Sequence, residues 1–295
     1  MYPTLHAWTP VRASSNAPSS NFRRITLGGA PVDLAGRTQA LDAISERSRR
    51  SSAKPLGVVS INLDHIHHFG TGARWTSTFG DGERHGIEWL NLIDGAPLAS
   101  QAHRVTGTEW PRLAGSDLAG PILDNAARDG VRVGFLGGSP ETHRLLADKF
   151  ANERPDLKIS GFWAPSKEEL EDPIREYAIT MAIAAAQTDI LIVCLGKPRQ
   201  EAWIANHGTD SGAKVLLAFG AVVDFLAGRV GRSPKWVAKI GLEWAWRLAL
   251  EPRRLANRYL VQGPPAYLAM RRHSGDHAQA VTHTLPKSLE YSATR

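Results

Sequence analysis

Between Gly57 and Ala227 short, continuously apolar runs alternate with stretches of helical character, and this alternation constrains the fold more than any other feature. The runs are Gly57–Leu63 (GVVSINL), Trp89–Ile93, the segment opening at Val131 (VRVGFLGG), Leu157–Trp163 (LKISGFW), Asp189–Leu195 and a run closing at Phe219–Gly220. A strand with no polar face has to be covered on both sides, which is the condition of a parallel sheet flanked by helices. Apart from Leu157–Trp163, each run stops at a polar residue or a glycine. In open sheets of this kind ligands bind beyond the C-terminal strand ends. Ser60, Asn62, Asp94, Gly137, Gly196 and Gly220 all stand at predicted strand ends, so the pattern brings them to one crevice.

The expected class is therefore α/β, a Rossmann-like, mostly parallel sheet with helices on both faces. A helix is expected from Ala35 to Arg49, with Leu41, Ile44 and Ser45 on one face and Glu46 and the arginines outside. Others are expected after Pro140, from Glu168 to Gln187, and through Leu118 to Arg128 with Ser116 or Asp117 as cap. Gly70–Gly86 reads as a mobile loop.

Several residue patterns carry chemistry, each beside a plainer reading. Asp94 at a strand end, followed by Gly95, suits a general base, and equally an Asp-Gly turn. Arg112 can hold two phosphate oxygens in one plane, or stand exposed before a helix. Gly137–Gly138 before Ser139 and Pro140 lets backbone N–H groups approach an anion at a helix N-terminus. Asp224 is either a ligand-binding carboxylate or a helix cap. Asp64 and His68 share a helical face and suggest a metal pair, against a reading as capping and surface residues. Asp81–Gly82–Glu83 lacks the preceding strand that an acidic metal motif needs.

The net charge of +6 is unevenly placed. Arg229 to Arg272 holds ten basic residues against Glu243 and Glu251, beside Trp236, Trp244, Trp246 and Tyr259. Trp236, Ile240, Trp244 and Leu248 recur every fourth residue as an apolar stripe, and Arg247, Arg254 and Arg258 fall close in helical register. Such a segment suits an anionic membrane surface or a polyanion, or a helical hairpin making an oligomer contact. The single Cys194 excludes an intramolecular disulfide and points to a reducing compartment, as an inert thiol within its strand. No apolar run approaches the ~18 residues of a membrane span. Residues 1–24 read as a disordered leader, 25–228 as the core, 229–273 as the basic appendage and 274–295 as a disordered tail.

Several separated motifs occur in one order: Ser60–Ile61–Asn62, Asp94–Gly95, Arg112-x-x-Gly115-x-Asp117–Leu118, Pro198–Arg199–Gln200–Glu201, Asp224–Phe225-x-x-Gly228, and the Arg/Trp-rich segment. From about Ile25 to Arg272 the chain thereby resembles the WecG/TagA/CpsF glycosyltransferases. It departs from them at Ser60 (usually Thr), at Ala96–Pro97 (often a further Gly), at Phe162–Trp163 (often a Tyr nearby) and at Asn257–Arg258 (often two arginines). The resemblance implies an inverting enzyme in which Asp94 is the base, while Ser60 and Asn62 position sugar or acceptor. Gln200 would bond the sugar or phosphate, and Asp224 the uridine. Arg112, Gly137, Gly138, Gly196 and Gly220, with Arg247, Arg254 and Arg258 of the appendage, would meet the substrates' charge. It further implies a UDP-sugar donor (N-acetylmannosamine first, its uronic acid or glucose as alternatives) and an undecaprenyl-diphosphate-linked acceptor. The expected setting is the inner membrane face, with a homo-oligomer as one possibility and no metal, cofactor or nucleic acid. Two other classes compete: a nucleotide-dependent oxidoreductase, weakened by the missing Gly-x-Gly-x-x-Gly, and a nucleic-acid-binding module built on the Arg/Trp segment.

Overall fold

The computed structural model describes residues 22–50, 54–79, 86–231 and 243–276. The first described elements form an antiparallel hairpin, β1 (Arg24–Leu27) and β2 (Ala30–Asp33). Helix α1 (Arg37–Arg49) leads to β3 (Leu56–Ile61), α2 (Leu63–Phe69) and β4 (Glu88–Ile93). Then come α3 (Ala96–Thr106), α4 (Gly115–Asp129), β5 (Arg132–Leu136), α5 (Pro140–Glu153) and β6 (Lys158–Trp163). Helices α6 (Lys167–Glu171) and α7 (Pro173–Ala185), β7 (Ile190–Val193), α8 (Arg199–His207), β8 (Val215–Ala218) and α9 (Val222–Leu226) complete the core. The six strands from β3 onward form one sheet in the order β4-β3-β8-β7-β5-β6, and every neighbouring pair is parallel. The expected α/β sheet is thus present. Its first strand, β3, lies beside its last, β8, and the loops leaving this pair open outward at their C-terminal ends.

Strand alternation divides the core in two. Val59, Ile61, Leu191, Val193 and Leu216 pack under α2, α3 and α8 with Trp203 and Ile204. Val58, Leu92, Val133, Phe135 and Leu217 pack on the other face, with Ile44 of α1, Ile122 of α4 and Phe150 of α5. Each such side chain contributes about 1.5–3 kcal/mol by leaving water, so the sheet is the rigid base on which the strand-end residues stand.

Local chemistry explains where the elements differ from the sequence reading. The single helix expected from Glu168 to Gln187 is two, because Pro173 lacks the N–H needed to continue the first. Asp172 then caps the second, accepting from Ile174 N at 2.9 Å. Helix α4 begins after Ala114, so Ser116 and Asp117 sit inside its first turn and are not its cap. Within it Pro121 leaves the Asp117 carbonyl without a helical donor, and Arg37 donates to that oxygen at 3.0 Å. On α1 the buried set is Ala40, Ile44, Ser45 and Ser48, and Leu41 is half-buried; Arg47 turns inward and meets Glu88 at 2.5 Å. Part of the predicted loop Gly70–Gly86 is ordered: Thr76–Phe79 forms a single 3₁₀ turn, and Phe79 packs on Phe69 at 4.7 Å and Trp89 at 5.1 Å.

The C-terminal segment holds α10 (Glu243–Leu250), α11 (Pro252–Ala256), a π-helical turn over Asn257–Gln262 and α12 (Gly263–Arg272). Trp236 and Ile240 of the predicted stripe, like Asp81–Gly82–Glu83, lie outside the described residues. Ala266 and Met270, four apart on α12, are buried and join the core on the α2 side. This contact requires a glycine in the first hairpin. Gly28 has φ +61°, and a Cβ there would stand 3.1 Å from the Met270 Cα. Thr26 and Gly275 then exchange two backbone hydrogen bonds of 2.9 Å, and Arg23 pairs with Asp276. The last described helix is therefore bound to the first strand.

Candidate active site

The loops beyond β3, β4, β7 and β8 enclose a crevice of about 1010 Å³, lined by Asn62, Asp94, Lys197, Gly220, Asp224 and Arg258 among others. Asp94 is the first residue past β4, and its N–H donates to the Ile61 carbonyl at 2.8 Å, which locks the two strand ends together. Burial pushes its carboxyl above the ordinary carboxylate range. A hydrogen bond from Asn62 and the charges of Lys197, Arg112 and Arg258 oppose that rise without cancelling it. The result is a carboxyl that holds its proton more readily than a surface aspartate, a property that suits general-base chemistry.

Asn62 ends β3 and caps α2. Its Nδ2 donates to Asp94 Oδ2 at 3.2 Å, and its Oδ1 accepts from Lys197 Nζ at 2.9 Å. Lys197 Nζ also lies 3.1 Å from Asp64 Oδ2, and Arg258 Nε lies 3.3 Å from the same oxygen. Burial, followed by the repulsion of Arg258, lowers the Lys197 ammonium to about 8 against the pull of Asp64 and Glu201. For Asp64 the balance is reversed: burial favours the neutral acid, but Lys197 and Arg258 outweigh it and hold the carboxyl below its ordinary range.

Beneath this row His65 is buried, with its Nδ1 accepting the Asn62 backbone N–H at 3.2 Å. In the tautomer that leaves Nδ1 to accept, Nε2 carries the ring proton and faces Glu201 Oε1, 3.2 Å away. Burial keeps His65 neutral, its pKa well below the usual value, and raises Glu201 to about 7.

A family model for the glycosyl transferase WecG/TagA/CpsF family matches residues 25–279. The chain belongs to the WecG/TagA/CpsF family. A Bacillus subtilis (strain 168) protein named N-acetylglucosaminyldiphosphoundecaprenol N-acetyl-beta-D-mannosaminyltransferase is 29% identical over 163 residues, which is 55% of this chain and 61% of that protein. A protein of the same name from Bacillus spizizenii is 27% identical over 201 residues, 67% of this chain and 69% of its own length.

Within this WecG/TagA/CpsF chain the predicted residues divide into those that face the crevice and those that build it. Ser60, Asn62, Asp94, Arg112, Gly138, Gly196, Gln200, Gly220, Asp224 and Arg258 line it together, and Ser60 and Gln200 also help to build it. Gln200, expected to bond substrate, is buried and spends its amide on protein: Nε2 donates to Glu201 Oε1 at 2.7 Å and to the Ala218 carbonyl at 3.1 Å, and Oε1 accepts from Gly220 N at 3.1 Å. Its described contacts are those of a brace between α8 and the end of β8. Ser60 Oγ donates to the Leu113 carbonyl at 2.8 Å, fixing the loop that carries Arg112 over the site. Gly137 serves close packing, since its φ is +93° and a Cβ would stand 2.5 Å from the Cys194 carbonyl oxygen. Asp224 is not a cap, because Ala221 holds that position; its carboxylate accepts from Thr142 Oγ1 at 3.4 Å. The N-terminus of α5 is capped by Ser139, whose Oγ accepts from Thr142 N at 3.1 Å, and Arg229 spans it to reach Glu141 at 2.9 Å. Burial pushes the Cys194 thiol up to about 12, so it stays protonated.

Arg258 reaches the site from the C-terminal segment, while Arg247 and Arg254 are placed by backbone only, on α10 and α11. Asp64 and His68 do share a face of α2, with His68 Nε2 3.7 Å from Asp64 Oδ1. No cluster of three or more His, Cys, Asp or Glu suited to a metal occurs among the described residues. His65 is no surface histidine: it lies under the site.

Sequence reasoning did not place Lys197, Asp64, His65 or Glu201 in one charge network at the site: Asp64 reads as a metal or capping residue, and Glu201 only as part of a motif. One signal was available. Glu201 falls three residues before Ile204 and four before Ala205 on α8, so a carboxyl shares the buried face of that helix.

Proposed function

We propose that the chain transfers a sugar, with inversion, from a UDP-linked donor to a saccharide carried on undecaprenyl diphosphate. N-acetylmannosamine is the first donor to test, following the names of the two Bacillus relatives. The observation that carries this reading is the placement of Asp94 in the crevice, with its carboxyl raised by burial and one oxygen held by Asn62. An acceptor hydroxyl attacks the anomeric carbon, the bond to the UDP oxygen breaks, and the hydroxyl proton passes to Asp94. UDP leaves with the bonding electrons. A positioned base contributes roughly 10²–10⁴-fold. Arg112, Arg258 and the backbone at Gly138, Gly196 and Gly220 would meet the charge on the departing diphosphate, and we propose that this suffices without a divalent metal. Asp224, which lines the crevice, would accept from the nucleoside.

Association with a membrane surface fits the C-terminal segment. Leu260, Val261 and Leu268 are 59%, 63% and 52% exposed, near Trp244, Trp246 and the exposed Arg253, Arg271 and Arg272. No helix among the described residues is long and apolar enough to cross a membrane.

The test is UDP release from UDP-N-acetylmannosamine with a short-chain lipid-diphosphate-N-acetylglucosamine acceptor, with chelator present, for wild type and Asp94→Asn. Acceptor-dependent release that falls at least ~10²-fold in the variant is expected. Equal rates in both would remove Asp94 as the base. Release that requires added metal would end the metal-free scheme.

A further inference from the structure

We propose that Lys197 is a positioning residue for Asp94: its ammonium fixes the Asn62 amide so that Nδ2 faces the carboxylate, and Asp64 holds the ammonium there. The proposal rests on the transferase reading of Asp94.

An asparagine amide is nearly symmetric in shape, so sterics alone do not decide which end faces the base. Reversed, Asn62 would present Oδ1 to Asp94 Oδ2 and Nδ2 to Lys197, placing acceptor against acceptor and donor against donor. Lys197 has three donors and no acceptor, so at 2.9 Å it selects the orientation seen. His65 Nδ1 stands 3.1 Å from the same Oδ1 and 3.2 Å from the Asn62 backbone N, so its part follows the ring tautomer, whereas Lys197 can only donate. With Oδ2 of Asp94 held by Nδ2, Oδ1 is left for the acceptor's proton. The ammonium is itself fixed, since Asp64 lies 3.1 Å away and is shared with Arg258. The row Arg258, Asp64, Lys197, Asn62, Asp94 thereby joins the C-terminal segment to the base.

The competing role for Lys197 is direct contact with the donor's diphosphate, and the two roles separate experimentally. Among the described residues, the charged and polar groups that act on Asp94 are Asn62, Lys197, Arg112 and Arg258. Removing Lys197 takes away one positive charge and the orientation of Asn62, so the acid limb of the pH–rate profile should move to higher pH. In the full chain, Lys197→Met is expected to lower kcat roughly 10- to 100-fold with KM for the UDP-sugar unchanged. Because the lysine acts through Asn62, adding Lys197→Met to Asn62→Ala should cost no more than about 2-fold further. Losses that multiply, an unmoved acid limb and weakened UDP binding by calorimetry would overturn the proposal in favour of a diphosphate contact.

Arg258 remains on Asp64 in the variant, which should preserve the fold; Lys197→Gln is the replacement if Lys197→Met does not fold. A readout without turnover keeps the two readings apart. The ¹³Cγ resonance of Asp94, titrated in wild type and Lys197→Met, should show a higher midpoint in the variant, and an unchanged midpoint would refute positioning even if wild type proved inactive with this donor. Wild-type inactivity with a shifted midpoint would instead count against the transferase reading alone.

Discussion

Replacing Asp64 by Ala removes the anion between two cations, and the structure fixes how much that should cost. The Asp64 side chain is 8% exposed, Lys197 14% and Arg258 23%, with separations of 3.1 and 3.3 Å. Breaking a buried pair by deleting one partner costs about 3–5 kcal/mol, because the remaining charge is left uncompensated. Here two cations remain, but Arg258 is partly solvated and Lys197 can lose its proton, so the lower end, about 3 kcal/mol, is expected. At ~2–4 °C per kcal/mol for a chain of this size, the melting point should fall by roughly 6–12 °C. Urea unfolding of wild type, Asp64→Ala and the double variant Asp64→Ala/Lys197→Met measures it, and the double variant should recover part of the loss. The sign with pH is also fixed. Burial raises the Asp64 carboxyl but Lys197 and Arg258 outweigh it, so the folded pKa is depressed. The stabilisation is complete above the unfolded carboxylate pKa and disappears as pH falls through the folded one, so wild type and variant should converge in acid. A loss below about 1 kcal/mol, or one abolished by high salt, would mean a screened surface pair and refute the reasoning.

Turnover of the wild-type enzyme should give a bell-shaped pH profile: Asp94 must be unprotonated, and burial raises it, so the acid limb should lie above the ordinary carboxylate range. The alkaline limb should fall near 8, where Lys197 loses its proton, and should be missing in Lys197→Met; an alkaline limb that persists there would assign it to another group. Leu260→Glu with Leu268→Glu should lower binding to anionic vesicles at least ~10-fold, each side chain being worth about 1.5–3 kcal/mol on leaving water. Turnover of a soluble short-chain acceptor should be retained. Unchanged sedimentation with vesicles would move the membrane contact elsewhere.

The sheet was legible because a strand buried on both faces leaves a strong mark: runs such as Gly57–Leu63 have no polar alternation, and the residue that ends each run is where the backbone leaves the core. Strand ends therefore predicted Asn62, Asp94 and Gly220 together. Helix α3 was not foreseen, although Leu98, Gln101 and Ala102 carry its buried face, because it begins directly after Asp94–Gly95, a pair with the signature of a turn. The inner charges were hidden for a physical reason. Buried ionisable residues are uncommon, and each is tolerable only with partners that here come from α2, α8 and the C-terminal segment, up to almost two hundred residues away in the chain. Asp64 and His65 in one short stretch therefore read as capping or surface groups, and Lys197 as part of a turn. The bracing contacts of Gln200 were hidden in the same way. An amide beside a site is free to bind substrate only if the backbone around it is satisfied. Gly220 N and the Ala218 carbonyl, where β8 ends and its ladder stops, are groups that need partners. Gln200 supplies both, so the amide is used in ending the strand, while Asn62 bonds Asp94 and Lys197 bonds Asn62.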